Sequence, residues 1–326
     1  MTALSARRRT LAAGAVLVAG ALLLTGCGDD DKKDEGTTPS AGTQTSAGQQ
    51  SPSTAAAPLY AKVPQKYKDA KVINVGSDVA YAPMEYYDKD GKTIIGVDPD
   101  IAAAISKQLG VELKFQNQAF DDLIISLNTK RIDLIMSSMS DNKKRQEGLD
   151  KDGKKAGEGV DFVDYMTAGT SILVQKGNPK NIKTLDDLCG QTVALQKATV
   201  NEDLAIAQQD KCKAAGKPEI KILTFEKDTE ALLQLKQGRS VADLNDFPVA
   251  AYNAQVSGDG KDFEVVGEQI DAGPYGIAVR KDDQALRDVI KEAVDAIIKN
   301  GEYGKILEAR NVKQGAVTEA KINGGS

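Results

Sequence analysis

Short apolar runs alternate along the chain with stretches whose apolar positions recur every three or four residues, and this texture begins at Lys71. The run KVINVGS (71–77) predicts a buried strand, and the loop DVAYAPMEYYDKDGK leads through an Asp-Gly turn to a short strand at Thr93 to Gly96. Asp98-Pro99 predicts a helix start, with aspartate at the N-cap and proline at the first helical position. Ile101, Ala104, Ile105 and Leu109 then keep helical spacing until Gly110 stops the helix. VELKFQ reads as a strand, AFDDLIISLNTK as a helix and IDLIMSS as a strand; residues 148–159 read as an exposed loop. A second series starts at DFVDYMTAGTSILVQKGNP. It continues with a short helix from Thr184 to Leu188, the strand TVALQ, a helix from Thr199 to Ala215, the strand KILTF, the helix DTEALLQLKQG, VADLND, and a helix through Tyr252. FEVVGEQIDAGPYGIAVR predicts two strands, and Asp282 to Asn300 an amphipathic helix that Gly301 ends. After Val312 the residues turn small and polar, which predicts a fraying tail.

Alternating strands and helices argue for largely parallel, doubly wound α/β sheets, in which ligands bind beyond the carboxyl ends of the strands. Asp78, Tyr81, Phe120 and the stretch from Ser137 to Arg145 each lie at or just past a strand end, so they are expected around one crevice. The segment RIDLIMSSMSDNKKR (131–145) runs from an apolar strand into three hydroxyls and then a cation, a pattern suited to a small anionic group. LNTKRIDLIMS and LKQGRSVADLND echo one another as helix end, basic turn and strand, one ending in Ser137 to Ser140 and the other in Asp246. Equivalent units in two lobes would face each other across a cleft.

The first residues have a different pattern. Arg7, Arg8 and Arg9 precede an apolar run from Leu11 to Leu24, the layout of a secretory signal and too short to span a membrane comfortably. Leu24-Thr25-Gly26-Cys27 resembles the lipobox of bacterial lipoproteins, in which the cysteine becomes the lipidated first residue. This implies a signal peptide over 1–26 and a lipid anchor on Cys27. Residues 28 to about 68 carry few large apolar side chains and read as a flexible tether.

Composition narrows the chemistry. The 326 residues are 41% hydrophobic and 27% charged with a formal charge of −5, ordinary for a globular protein. No dense basic block occurs outside the first ten residues, so nucleic acid is not expected as a partner. The chain contains no histidine, which removes Ser-His-Asp and Cys-His nucleophile systems and histidine metal sites together. Besides Cys27 there are two cysteines, Cys189 and Cys212. In an exported protein such a pair usually forms a disulfide, whereas a redox or metal role would call for a CxxC motif or further ligands.

From about Lys71 to Val312 the chain resembles the extracellular solute-binding proteins that deliver polar amino acids to ABC importers, the class of the lysine/arginine/ornithine-, histidine- and glutamine-binding proteins. The stretches that carry the resemblance are GSDVAYAPMEYYDKDGK, GVDPDIAAAISKQLG, AFDDLIISLNTKRIDLIMSSMSDNKKR, DFVDYMTAGTSILVQKGNP, TVALQKATVNED, LNDFPVAAY and PYGIAVRKDDQALRD. It implies a two-lobed periplasmic-binding-protein-like fold, with two strands crossing between lobes that close around the ligand. The expected division is signal peptide 1–26, lipidated cysteine and tether 27–68, lobe 1 over 69–168 with 267–312, lobe 2 over 169–266, and a flexible tail 313–326.

The resemblance also implies roles. Arg145 matches the arginine that pairs with the ligand carboxylate, a role suited to its planar fork of donors. Ser138 and Ser140 match hydrogen-bonding cleft positions, and Asp246 matches the carboxylate that takes the α-ammonium. Tyr81 and Phe120 match the aromatic pair around the ligand side chain, and Asp78 an acidic position near the ligand in the binders of basic amino acids. Leu195 and Thr199 match second-lobe positions whose backbone and hydroxyl meet the carboxylate at a helix N-terminus. Two departures stand out: Lys197-Ala198-Thr199 where the family often has Gly-Ser/Thr-Thr, and an insertion after Arg145. The expected protein is a monomeric receptor without cofactor or metal, lipid-anchored on the outer face of the bacterial cell membrane, that presents a polar or basic amino acid to an ABC permease. The alternative is an enzyme on the same scaffold, similar to cyclohexadienyl dehydratase, which would need an acid or base such as Asp78 or Glu85.

Overall fold

The apolar runs become strands and the periodic stretches become the helices between them. A computed structural model describes residues 57–326. The signal segment, Cys27 and the first part of the tether lie outside the described residues. In chain order the elements begin with α1 (Gln65–Ala70), β1 (Val72–Ser77), β2 (Tyr86–Tyr87), β3 (Ile94–Ile95), α2 (Val97–Leu109), β4 (Glu112–Asn117), α3 (Leu123–Asn128), β5 (Leu134–Ile135) and α4 (Lys143–Glu147). Then come β6 (Val160–Gln175), β7 (Thr192–Gln196), α5 (Val200–Ala214), β8 (Lys221–Phe225), α6 (Asp228–Lys236), β9 (Ala242–Asp246) and α7 (Phe247–Val256). The chain finishes with β10 (Phe263–Arg280), α8 (Gln284–Lys299), α9 (Glu302–Ala309) and β11 (Lys321–Ile322).

The main sheet runs β4-β1-β5-β10-β6-β9-β7-β8, with β11 added to β6. At one end β1 pairs parallel to β4 and β5, and at the other β7 pairs parallel to β8 and β9. These are the α/β units of two lobes. β6 and β10 lie antiparallel through the middle and pass from one lobe to the other. Their register shifts between Val266 and Gly273, where the strands pass from one lobe to the next. Bulges of this kind bend a ladder without ending it, so FEVVGEQIDAGPYGIAVR is a single long strand rather than the two expected.

Each lobe has its own apolar core. In the first, α2 and α8 cover the sheet with Ile101, Ile105, Leu109, Leu286, Ile290, Val294 and Ile297, all fully buried. In the second, Leu188, Val193, Leu195, Ala205, Leu244 and Cys212 pack together. The Cys189–Cys212 disulfide forms there, joining the segment before β7 to α5 with Cα atoms 5.6 Å apart.

Four expectations change. Asp98 does not cap α2. Gly96 occupies that position at φ 139°, in the left-handed region and so close to the Met84 backbone that a Cβ would collide with it. Asp98 is turned inward and accepts from the Tyr165 hydroxyl at 2.6 Å. The tether stops short of residue 68, because Val63 and Tyr67 are buried in the first core and the Tyr67 hydroxyl donates to Asp283 at 2.6 Å. A further helix, α9, follows Gly301 and buries Tyr303 and Leu307. The tail after Val312 does not fray: Ala320 is buried and β11 pairs with β6.

The disulfide closes a loop within the second lobe, and loop closure in the unfolded chain sets its worth at about 3 kcal/mol. The double variant Cys189→Ser, Cys212→Ser is expected to lose about that much on chemical denaturation; an unchanged midpoint and slope would remove the bond from the protein's stability.

Candidate functional site

The carboxyl ends of β1 and β5 in one lobe and of β7 and β9 in the other face a single cavity of about 330 Å³. Its walls include Asp78, Tyr81, Glu85, Phe120, Ser138, Ser140 and Arg145 from the first lobe, and Gln196, Thr199, Asn201 and Asp246 from the second. Three carboxyl groups and one guanidinium therefore share an enclosed space.

Arg145 reaches the cavity from α4. Asn142 caps this short helix, its side chain accepting from the Arg145 backbone N–H at 3.0 Å. The Arg145 guanidinium donates to the Ser140 carbonyl at 2.8 Å and, across the cleft, to the Ala198 carbonyl at 3.1 Å. Its carbon sits 5.4 Å from the centre of the Phe120 ring, a cation–π arrangement. Burial lowers its pKa to about 10, which leaves it charged at neutral pH. The loop that delivers it is clipped to β10: Asp141 N–H donates to the Pro274 carbonyl at 2.8 Å and Gly276 N–H to the Met139 carbonyl at 2.9 Å. Ser138 lies there at φ 46°, a strained value for a non-glycine residue, and its N–H donates to Asp98 at 3.0 Å.

The opposing wall is the start of α5. Thr199 is its N-cap: its hydroxyl accepts from Glu202 N–H at 3.1 Å and donates to the Gln196 carbonyl at 2.8 Å. Val200 and Asn201, in the first turn, line the cavity, and the unpaired N–H groups and dipole of a helix start favour an anion. Asp246, at the end of β9, accepts from the Asn201 side chain at 3.2 Å, and its own N–H donates to the Tyr81 hydroxyl at 3.1 Å. Burial raises its pKa, against the pull of the hydrogen bonds around it and of the Arg145 charge.

The far end is acidic. Asp78 accepts from the Gln196 amide at 2.6 Å, and burial raises its pKa to about 6. Glu85 is fully buried and accepts from the Ser137 hydroxyl at 2.9 Å and the Ser138 hydroxyl at 3.3 Å. Burial, and then the charge of Asp98, drive its carboxyl well above the usual range. Asp98, also buried, rises to about 6. Among the described residues no group of three or more histidine, cysteine, aspartate or glutamate side chains is placed to hold a metal ion.

Eight of the nine sequence-selected residues line this cavity: Asp78, Tyr81, Phe120, Ser138, Ser140, Arg145, Thr199 and Asp246. Leu195 does not. Successive strand residues point to opposite faces, so Leu195 enters the second-lobe core while its neighbour Gln196 reaches the cavity. Gln196, Val200 and Asn201 are cavity residues that the sequence does not single out; Ser137 belongs to the stretch expected around the crevice, and Glu85 enters the sequence reading only as a candidate acid or base of the enzyme alternative. Gln196 was findable as the last residue of a strand. Lys197 lies outside the cavity and bridges the rim, 2.9 Å from Asp121 of the first lobe and 3.3 Å from Glu226. A second ion pair, Lys144 to Asp203 at 2.8 Å, also crosses the cleft.

The whole arrangement has close parallels. The description "bacterial extracellular solute-binding proteins, family 3" matches residues 73–309. The arginine-binding protein ArgT of Corynebacterium glutamicum is 31% identical over 81% of this chain and 82% of its own length. The L-arginine-binding protein of Pseudomonas aeruginosa is 30% identical over 73% and 87% respectively. Among solved structures, holo ArgBP from T. maritima superposes with a TM-score of 0.62 at 32% identity, covering 76% of this chain and 99% of that one. The ancestral amino acid-binding protein AncCDT-1, a precursor of cyclohexadienyl dehydratase, reaches 0.65 at 33%, covering 76% and 98%. Two α/β lobes joined by paired crossing strands, with a charged cavity between them and a match over most of the chain, make this protein a member of the bacterial extracellular solute-binding proteins, family 3.

Proposed function

We propose that the cavity binds a free basic amino acid and that the closed protein delivers it to an ABC importer permease. The observation that carries the basic ligand is the charge balance: Asp78, Glu85 and Asp246 face a single cation, Arg145. A carboxylate between Arg145 and the start of α5, and an α-ammonium at Asp246, account for one charge of each sign. Asp78 then remains, buried and in need of a cation. A cationic side chain between Tyr81 and Phe120 supplies it. The arginine-binding relatives support this choice. Glu85 completes the pocket as a hydrogen-bonding group pushed toward its neutral form by burial and by the charge of Asp98, against the pull of the serine hydroxyls that donate to it.

The lobes are taken as residues 69–168 with 267–312, and 169–266. Ligand bridging would hold them together, aided by the Lys197–Asp121 and Lys144–Asp203 pairs at the rim. We also assign a lipoprotein signal to 1–26 and a lipid anchor to Cys27, with the receptor a monomer on the outer face of the membrane; among the described residues no helix is long and apolar enough to cross a membrane. Binding without turnover is the activity proposed.

Calorimetric titration of protein beginning after Cys27 is expected to show arginine or lysine binding more tightly than glutamine or glutamate. Binding by none of the twenty amino acids, or a ligand consumed during incubation, overturns the reading. Arg145→Ala is expected to cost about 2 to 5 kcal/mol of affinity, the range for stranding one member of a buried charge pair; unchanged affinity removes the residue from the site. The carboxylate of Asp78 is present above its pKa and lost as pH falls through it, so affinity for a basic ligand should weaken below about pH 6. The limiting slope is about tenfold per pH unit, and Asp78→Asn should flatten this dependence; a wild-type profile level from pH 7 to pH 4.5 would count against Asp78 as the side-chain partner.

A further inference from the structure

The residues after Val317 make contacts that nothing in ligand binding requires, and these contacts converge on the helix that carries Arg145. Ala320 N–H donates to Asp295 of α8 at 2.8 Å, and β11 then pairs along β6, Lys321 opposite Asp164 and Ile322 opposite Val163. Asn323 continues the pairing: its side chain accepts from Phe162 N–H at 2.8 Å and donates to Asp161 at 3.1 Å. Gly324 N–H donates to Asp164 at 3.0 Å, and Gly325 N–H to Asp141 at 2.7 Å. The Gln146 amide closes the circuit, donating to Asp141 at 2.7 Å and to the Gly325 carbonyl at 3.2 Å.

Asp141 stands just before the cap of α4 and Gln146 in its last turn, and both are buried. A five-residue helix makes too few internal bonds to hold itself in water. α4 is held by its cap at Asn142, by the clips of the 139–141 loop to β10, by the bonds of Ala156 and Gly157 N–H to the Gly148 carbonyl at its other end, and by the Asp141–Gln146–Gly325 junction. The fit of that junction is close. A Cβ at Gly325 would collide with the Asp141 backbone and one at Gly324 with the Asp164 carboxylate. The two carboxyl groups it serves are neighbours, and burial followed by the charge of Asp141 raises Asp164 to about 7. Without the two glycine N–H groups, a pair of buried acids would be left short of donors directly behind the arginine.

We propose that residues 320–325 are a positioning strap for Arg145, clamping α4 through Asp141 and Gln146 so that the guanidinium is held against the Ser140 carbonyl of its own lobe before ligand arrives. The proposal rests on Arg145 being the ligand's carboxylate partner, and it assigns to the strap no contact with ligand.

The test combines a thermodynamic cycle with hydrogen exchange. Full-length domain and a version lacking residues 320–326 are each prepared with Arg145 and with Arg145→Lys, and titrated with arginine at neutral pH. Deletion is expected to weaken binding about tenfold or more when Arg145 is present and by less than about threefold in the lysine background, a coupling within the range for residues of one network. Equal weakening in both backgrounds, or none, overturns the proposal, because a general loss of stability would not depend on the residue at 145. Exchange of the amides from Lys143 to Gly148 should quicken on deletion with the α5 and α6 amides of the other lobe unchanged. This second readout needs no ligand, so if the full-length protein binds no amino acid the strap still stands or falls on it, separately from the proposed function. Should the truncated chain fail to fold, Gly325→Ala carries the same comparisons.

Discussion

The guanidinium of Arg145 is bonded to two carbonyl oxygens that belong to different lobes, and much of the molecule follows from keeping that charge in place. An arginine cannot shed its proton under ordinary conditions, so burying it demands acceptors in a fixed geometry. Ser140 supplies one from a loop clipped to β10, Ala198 the other from the turn before α5, and the Phe120 ring covers a face of the cation. Neither carbonyl neutralises it. The charge is solvated but not paired, which is the state in which a ligand carboxylate gains most on arrival.

The same reasoning runs in reverse for the acids. Asp78, Glu85 and Asp246 are all buried, and all three are pushed toward their neutral forms by the loss of water. A cationic ligand would reverse that push for the carboxyl it meets. Asp78 has the Gln196 amide, and Asp246 the Asn201 amide with further hydrogen bonds around it. Glu85 is tied to two serine hydroxyls and lies beside Asp98, whose charge adds to the effect of burial.

The alternation of strands and helices was legible because each parallel unit buries an apolar strand between periodic helices, and β7 and β8 fall on the runs TVALQ and KILTF. Cavity residues at strand ends were legible for the same reason, since topology alone sends them to one edge. What the chain did not disclose was set by partners distant in sequence. Asp98 has the composition of a helix cap, but a tyrosine hydroxyl 67 residues away turns it inward. Leu195 and Gln196 differ by one position, and only the sheet decides which faces the cleft. The polar tail IN-GGS has no apolar period to announce it. Its order comes from backbone pairing to β6 and from two buried acids, Asp141 and Asp164, that need its N–H groups.

This last point bears on how a hinged receptor can be selective. In the proposed closure β6 and β10 would bend where their register shifts, and the second lobe, with Asp246 and the start of α5, would move as a body relative to the first. Whatever recognises the ligand before closure must therefore be rigid within one lobe. Tyr81, Phe120, Asp78 and Arg145 all sit in the first, and Arg145 is carried by a helix too short to be rigid by itself. A lobe that meets its ligand with a loose cation would lose in ordering entropy part of what the cation contributes in binding. Holding α4 from behind, by groups that never touch the cleft, removes that loss without adding contacts that closure would have to break.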